Sequence, residues 1–120
     1  MASQGKSGGY RHGVLVGPVV VTHTGTTKVY AGVCPEDGRI VSCPNYPTTG
    51  VTTTVGAVTV TNETKSTTTT FTQAIQAANI GAAPATAAEL VVSAGDLISF
   101  TPDGVPAAGI VSTSVFVAQD

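Results

Sequence analysis

The sequence contains very little charge. Only 10% of its 120 residues are Asp, Glu, Lys or Arg, and the formal net charge is −2, whereas soluble domains usually carry about 25% charged residues. A surface with so little charge repels other proteins weakly and therefore favours association. We expect a subunit of an assembly and no nucleic-acid partner, because the basic residues are too scattered to neutralise phosphates: Lys6, Arg11, Lys28, Arg39 and Lys65.

Long apolar runs are also missing. No segment approaches the roughly 18 consecutive apolar residues that a membrane-spanning helix needs. The first residues, MASQGK, lack the apolar core of a signal peptide. We therefore expect no membrane partner and synthesis in a cytoplasm.

Residues that could carry chemistry are few and dispersed. His12 lies in a polar arm and His23 in a turn, and most of the acidic residues also fall in turns. This spread predicts neither a nucleophilic triad nor an acid–base pair. Two Cys and two distant His lack the short paired spacings of a zinc site. A calcium site from Asp96 and Asp103 would lack a loop of dense alternating acids. We expect no enzyme, no metal and no cofactor.

The two cysteines, Cys34 and Cys43, are separated by eight residues. In a reducing cytoplasm two free buried thiols are the default state. A Cys34–Cys43 disulfide stays open for a protein that ends up outside a cell. A turn at residues 35–38 would place Cys34 opposite Arg39 or Val41, so the disulfide would need a bulge or a wider offset.

What the sequence has in abundance is Val, Thr and Gly, arranged as short β-branched segments with turn residues every eight to twelve positions. This pattern is typical of a β-sandwich or barrel. Residues 26–34 and 39–43 are predicted to pair as a hairpin around Pro-Glu-Asp-Gly. Two prolines predict a loop over residues 44–50. Residues 73–81 read as a short helical segment that ends at Gly81.

The last segment alternates with a period of two, so its residues divide between two faces. One face carries Val111, Thr113, Val115 and Val117, and the other carries Ile110, Ser112, Ser114, Phe116 and Ala118. Together these patterns predict an all-β domain over residues 14–120. We expect an antiparallel, jelly-roll-like β-sandwich of about eight strands with one short helical segment.

Residues 1–13 are Gly/Ser-rich and polar, so they cannot bury enough apolar area to offset the entropy of ordering them. We predict a flexible N-terminal arm that orders against a neighbouring subunit. Aromatic and arginine side chains are the usual interface anchors, which favours Tyr10 and Arg11, with Lys6 and His12 beside them. Tyr46, between Pro44 and Pro47, is the best candidate for an exposed aromatic in the domain itself.

The segment ELVVSAGDLISFT at residues 89–101, the small-residue loop around Pro106-Ala107-Ala108-Gly109 and the final Val/Ser/Thr strand resemble one family. This family is the capsid decoration (cement) proteins and related head-surface β-sandwiches of tailed phages. The resemblance implies a structural virion protein that binds the major capsid protein on the outside of the head and stabilises contacts between capsid subunits. Local three-fold points of such a shell favour a homotrimer. The alternative is a receptor- or carbohydrate-binding β module of a tail fibre or adhesin.

Overall fold

The computed structural model describes residues 12–119, except for the side chains of residues 86 and 87. In this part of the chain it is all-β, with nine strands and no helix. The predicted contact residues Lys6, Tyr10 and Arg11 lie outside it. In chain order the strands are β1 (Gly13–Thr22), β2 (Val29–Val33), β3 (Gly38–Ser42), β4 (Asn45–Thr52), β5 (Gly56–Asn62), β6 (Thr67–Gln73), β7 (Ala85–Val92), β8 (Leu97–Pro102) and β9 (Ala108–Ala118).

The strands form two antiparallel sheets. Sheet A has the order β1-β9-β3-β7, and β4 also pairs with β9. Sheet B has the order β2-β8-β5-β6. The prediction of two antiparallel layers is therefore confirmed.

One hydrophobic core lies between the two sheets, because alternate residues of each strand point inwards. In β5, for example, Val58 and Val60 are buried while Thr59 and Thr61 are partly exposed. Each fully buried Val or Phe stabilises the fold by about 1.5–3 kcal/mol. Sheet A contributes Val16, Val21, Ile40, Leu90, Val92, Val115 and Val117, and sheet B contributes Val58, Val60, Phe71, Ile98 and Phe100.

Strand β9 is the centre of sheet A. It pairs with β1 on one edge and with β3 and β4 in succession on the other. The residues predicted to share one face, Val111, Thr113, Val115 and Val117, are all buried. The division of this strand into two faces is confirmed.

The predicted hairpin between residues 26–34 and 39–43 is wrong. Strand β2 pairs with β8 in sheet B, whereas β3 lies between β9 and β7 in sheet A. The turn between them therefore crosses from one sheet to the other. After this turn, the backbone of Gly38 lies close to the backbone of Ala118. Only glycine fits here, since a Cβ on residue 38 would lie 2.3 Å from the carbonyl oxygen of Ala118.

The helical segment expected at residues 73–81 does not form. Residues 74–84 instead lie along the outer edge of β4 and pair with it through one bridge on either side of a turn at residues 78–79, and we call them the strap. Val51 and Gln76 exchange two backbone hydrogen bonds, and Asn45 and Ala82 exchange two more. An uncovered strand edge exposes unpaired N–H and C=O groups. Pairing with these groups outweighs the weak helical preference of the alanines in the strap.

The loop expected at residues 44–50 is largely a strand, β4. Proline has no N–H to donate to a ladder, but the ladder with β9 is irregular here, with a register shift between Pro47 and Thr49. The carbonyl of Pro47 accepts a hydrogen bond from Asn79 N of the strap at 2.8 Å. Pro18 is accommodated at the edge of sheet A in a similar way, since β1 has a register shift between Val16 and Val19.

Candidate functional site

The Asp96 carboxylate is the centre of a polar cluster at one end of the two sheets. It lies in the turn between β7 and β8, and it is only 5% exposed. Its Oδ2 accepts hydrogen bonds from Asn62 Nδ2 at 2.7 Å, from Ser93 N at 2.9 Å and from Lys65 Nζ. Burial alone would raise the pKa of Asp96, but the hydrogen bonds from Lys65, Asn62 and Ser93 outweigh it and lower the pKa.

The same turn is tied to the turn between β2 and β3. Cys34 N donates to Asp96 O and Gly95 N donates to Cys34 O, both at 2.8 Å. Ala94 N donates to Asp37 Oδ1 at 2.9 Å. Asp96 therefore holds three turns together, which assigns the Ala-Gly-Asp stretch a structural role in the fold.

Asn62, the first residue of an Asn-Glu-Thr sequon, is part of this cluster. Its side chain is fully buried, and its Oδ1 accepts a hydrogen bond from Lys65 N at 3.1 Å. The amide therefore shapes the turn after β5.

A second ion pair lies on sheet B. Lys28 Nζ lies 2.7 Å from Glu63 Oε2, which also accepts a hydrogen bond from Ser99 Oγ at 2.6 Å. These contacts raise the pKa of Lys28 and lower the pKa of Glu63. Both groups are paired, so neither is poised for proton transfer.

Cys34 and Cys43 are both buried free thiols, and no disulfide joins them. Cys34 follows β2 of sheet B, while Cys43 follows β3 of sheet A, so the two residues belong to opposite layers. Burial raises the pKa of Cys34 and raises the pKa of Cys43 to about 12. Thiols in this state are poor nucleophiles.

Within residues 12–119 no group of three or more His, Cys, Asp and Glu side chains is close enough to hold a metal ion. Asp96 and Asp103, considered above as calcium ligands, lie at opposite ends of β8. Six residues of strand separate them by about 20 Å, so they do not form one site.

His23 is the most unusual buried group in the described part of the chain. Its backbone N donates to Gly109 O at 2.8 Å, but neither ring nitrogen has a hydrogen-bond partner. Burial lowers the pKa of His23, and the negative charge of Asp103 opposes this shift only in part. The imidazole is therefore a neutral core residue at the start of the β1–β2 turn.

The outer surface of sheet A, by contrast, presents apolar side chains to solvent. Cross-strand pairing sets them in three rows over β1, β9 and β4. We call the part of this surface that lies over β1, β9 and β4 the neutral face. Its rows are Leu15 with Phe116, Val20 with Ser112 and Tyr46, and Thr22 with Ile110 and Thr49.

The strands of the neutral face, and the strap beside them, contain no Asp, Glu, Lys or Arg. The other charged residues that the structure describes lie outside these strands. Arg39 and Glu89 lie on β3 and β7 of the same sheet, beyond β9, Lys28 and Glu63 pair at the end of sheet B, and the others lie in turns. The two outer faces differ accordingly, because sheet B exposes a hydroxyl-rich surface: Thr59, Thr61, Thr68, Thr70, Thr72 and Thr101.

Of the two predicted contact residues that the structure describes, His12 and Tyr46, only Tyr46 lies on the neutral face. Its ring is 45% exposed, and its hydroxyl donates to Asn79 Oδ1 of the strap at 3.2 Å. His12 is exposed, and its carbonyl accepts a hydrogen bond from Gln119 N at 2.7 Å. The sequence reasoning missed Leu15 and Val20. The sequence does contain a signal for these two residues. Strand β1 is apolar on both faces, whereas a strand with one face in water alternates apolar and polar residues.

Comparisons of the chain with protein-family models, with curated proteins and with solved structures find no match. Among the residues that the structure describes, no helix is long and apolar enough to cross a membrane.

Replacing Asp96 with alanine should strongly destabilise the fold. Asp96→Ala leaves Asn62, Lys65 and Ser93 without their shared acceptor, and we expect the free energy of unfolding to fall by about 2–3 kcal/mol in urea titrations at pH 7. Because the folded pKa of Asp96 lies below its usual value, this stabilisation is complete above about pH 4 and is lost as the pH falls through the folded pKa. The matched control is Asp103→Ala, which removes one exposed hydrogen bond to Val105 N and should cost less than about 1 kcal/mol. Equal costs for the two variants would contradict the account.

His23 should make stability depend on pH. Its folded pKa is below the unfolded value of about 6.5, so the unfolded chain binds the proton first and the free energy of unfolding falls as the pH drops below about 6.5. The slope should be at most about 1.4 kcal/mol per pH unit. Urea titrations from about pH 7.5 to pH 5 should show this fall in the wild type and in His12→Ala, but not in His23→Leu. A wild-type curve that is flat over this range, or a His23→Leu curve that follows it, would show that the ring is not held neutral.

Proposed function

We propose that the chain is a structural subunit that attaches to a larger protein shell, as a decoration protein does on the outside of a phage head. The observation that carries this proposal is the neutral face. A sheet that presents Leu15, Val20 and Tyr46 to solvent on three strands without a charged residue has the composition of a protein interface, where charged residues are depleted and aromatics are enriched. Exposed apolar patches of this kind mark interaction sites.

We also infer that the two sheets form a jelly roll. Strands β3 and β4 run consecutively along the same edge of β9, so they can be counted as one strand interrupted at Cys43-Pro44. Each sheet then has four strands, with the orders β1-β9-β3/β4-β7 and β2-β8-β5-β6. An eight-stranded double sheet of this kind is the jelly-roll arrangement common in viral capsid proteins.

The segment that resembles head decoration proteins supports the same proposal. Residues 89–101 form the end of β7, the Asp96 turn and β8. The Asp96 cluster fixes the connection between the two sheets, which gives the rigid slab that attachment to a shell requires. In this proposal the partner is the major capsid protein, the location is the capsid surface, and the subunit needs no catalytic group.

One observation favours the alternative of a receptor- or carbohydrate-binding module. The Tyr46 ring is exposed, and Asn79 fixes its hydroxyl, so the ring could stack on a sugar. An amphipathic ring of this type also serves as an anchor for protein contacts. The two functions place the chain on different parts of a virion.

Immunogold electron microscopy can separate these functions. Antibodies against the recombinant chain should label the heads of virions produced from the genome that encodes it, because a decoration protein covers the outer capsid surface. The control is the same antibody absorbed with free recombinant chain, which should label nothing. Label on tail tips would favour the binding module, and virions without any label would contradict a virion protein of either kind.

A further inference from the structure

We propose that the neutral face binds the neutral face of a second copy of this chain. This inference deepens the proposed function and rests on it, since both treat the face as a surface that protein covers. It names the occupant as a neighbouring copy within the assembly that attaches to the shell.

The row structure of the neutral face favours tight packing. Phe116 lies beside Leu15 in the first row, and Tyr46 and Val20 flank the small Ser112 in the second. Between these rows lies a low strip, where Gly17 lies against Ser114, and a Cβ on Gly17 would be 3.3 Å from Ser114 Oγ. The surface therefore has two ridges of large side chains with a shallow groove of small residues between them. A ridge of a second, identical surface can fit into this groove.

Charge selects a second copy over a charged partner. In a symmetric contact each residue meets the residues of the same patch, so any charge near the centre would lie close to its own duplicate. The strands β1, β9 and β4 have no charged residue, and a copy of this surface therefore meets no like-charge repulsion. Arg39 and Glu89 lie on β3 and β7, on the far side of β9, at the border of this surface.

The size of the face fits a stable self-association. Four extended segments about 4.8 Å apart and about ten residues long outline roughly 600 Å², before the relief of the side chains is included. Specific interfaces bury about 600–1,000 Å² on each partner. The neutral face and the adjoining strap together reach the lower end of this range.

The edges next to the neutral face do not offer an easy alternative. The strap already pairs with the outer edge of β4, and the bulge between Val16 and Val19 interrupts the ladder of β1. Both devices are typical of proteins that avoid association through strand edges. On this side of the molecule, association through the neutral face is therefore favoured over association through a strand edge.

Two valines with the same exposure on opposite sheets provide a matched test. Val20 on the neutral face is 60% exposed, and Val33 on β2 of sheet B is 61% exposed. Sedimentation velocity and light scattering of the full chain from about 1 to about 100 µM should show an assembly of two or more copies. Val20→Glu should weaken this assembly at least about 10-fold, because it buries an unpaired carboxylate. Val33→Glu should assemble like the wild type, and Leu15→Glu, a second variant on the neutral face, should behave like Val20→Glu. Circular dichroism checks that all three variants fold.

A wild-type chain that stays monomeric at about 100 µM would overturn the inference, and so would equal effects of Val20→Glu and Val33→Glu. The outcome is independent of the labelling of virions. A monomer that labels phage heads would remove this inference and leave the proposed function standing. A chain that assembles, but whose antibody labels no virion, would remove the proposed function and leave the contact between copies standing.

Discussion

The burial of alternate side chains between two sheets is the interaction on which the rest of this structure depends. Each strand gives one face to the common core, through residues such as Val60, Phe100 and Val117, and this leaves a second face free to differ. On sheet B that second face carries many threonines beside the exposed Tyr30 and Val33. On sheet A the strands β1, β9 and β4 carry Leu15, Val20 and Phe116, which gain free energy when protein covers them.

The remaining devices make this double layer rigid. The Asp96 carboxylate ties together three turns that belong to both sheets, and a buried acceptor with three donors tolerates little movement. The strap covers the edge of β4, which would otherwise present unpaired backbone groups. A subunit that adds stiffness to a shell needs these properties. The neutral face is a surface of this rigid double layer that gains from a protein partner, because it exposes Leu15, Val20 and Tyr46.

The strands themselves could be predicted from the sequence, but their pairing could not. Alternation in β9 separated Val115 from Phe116 correctly, because the period of two is a local property. The pairing of β2 with β8 and of β3 with β9 joins strands that are distant in the chain, and no local pattern encodes it. The strap was mistaken for a helix because alanines favour helices, whereas the free edge of β4 decides its conformation. The sequence places His23 in a turn, but its complete burial depends on what packs above that turn, which no local pattern encodes.

The central claim is that a second copy of the chain covers the neutral face. The most direct test is the dependence of the thermal midpoint of the full chain on its concentration. A folded state stabilised by association through this face predicts a midpoint that rises by several degrees between about 1 and about 100 µM, since mass action favours the associated form. A midpoint that does not change over this range would contradict the claim.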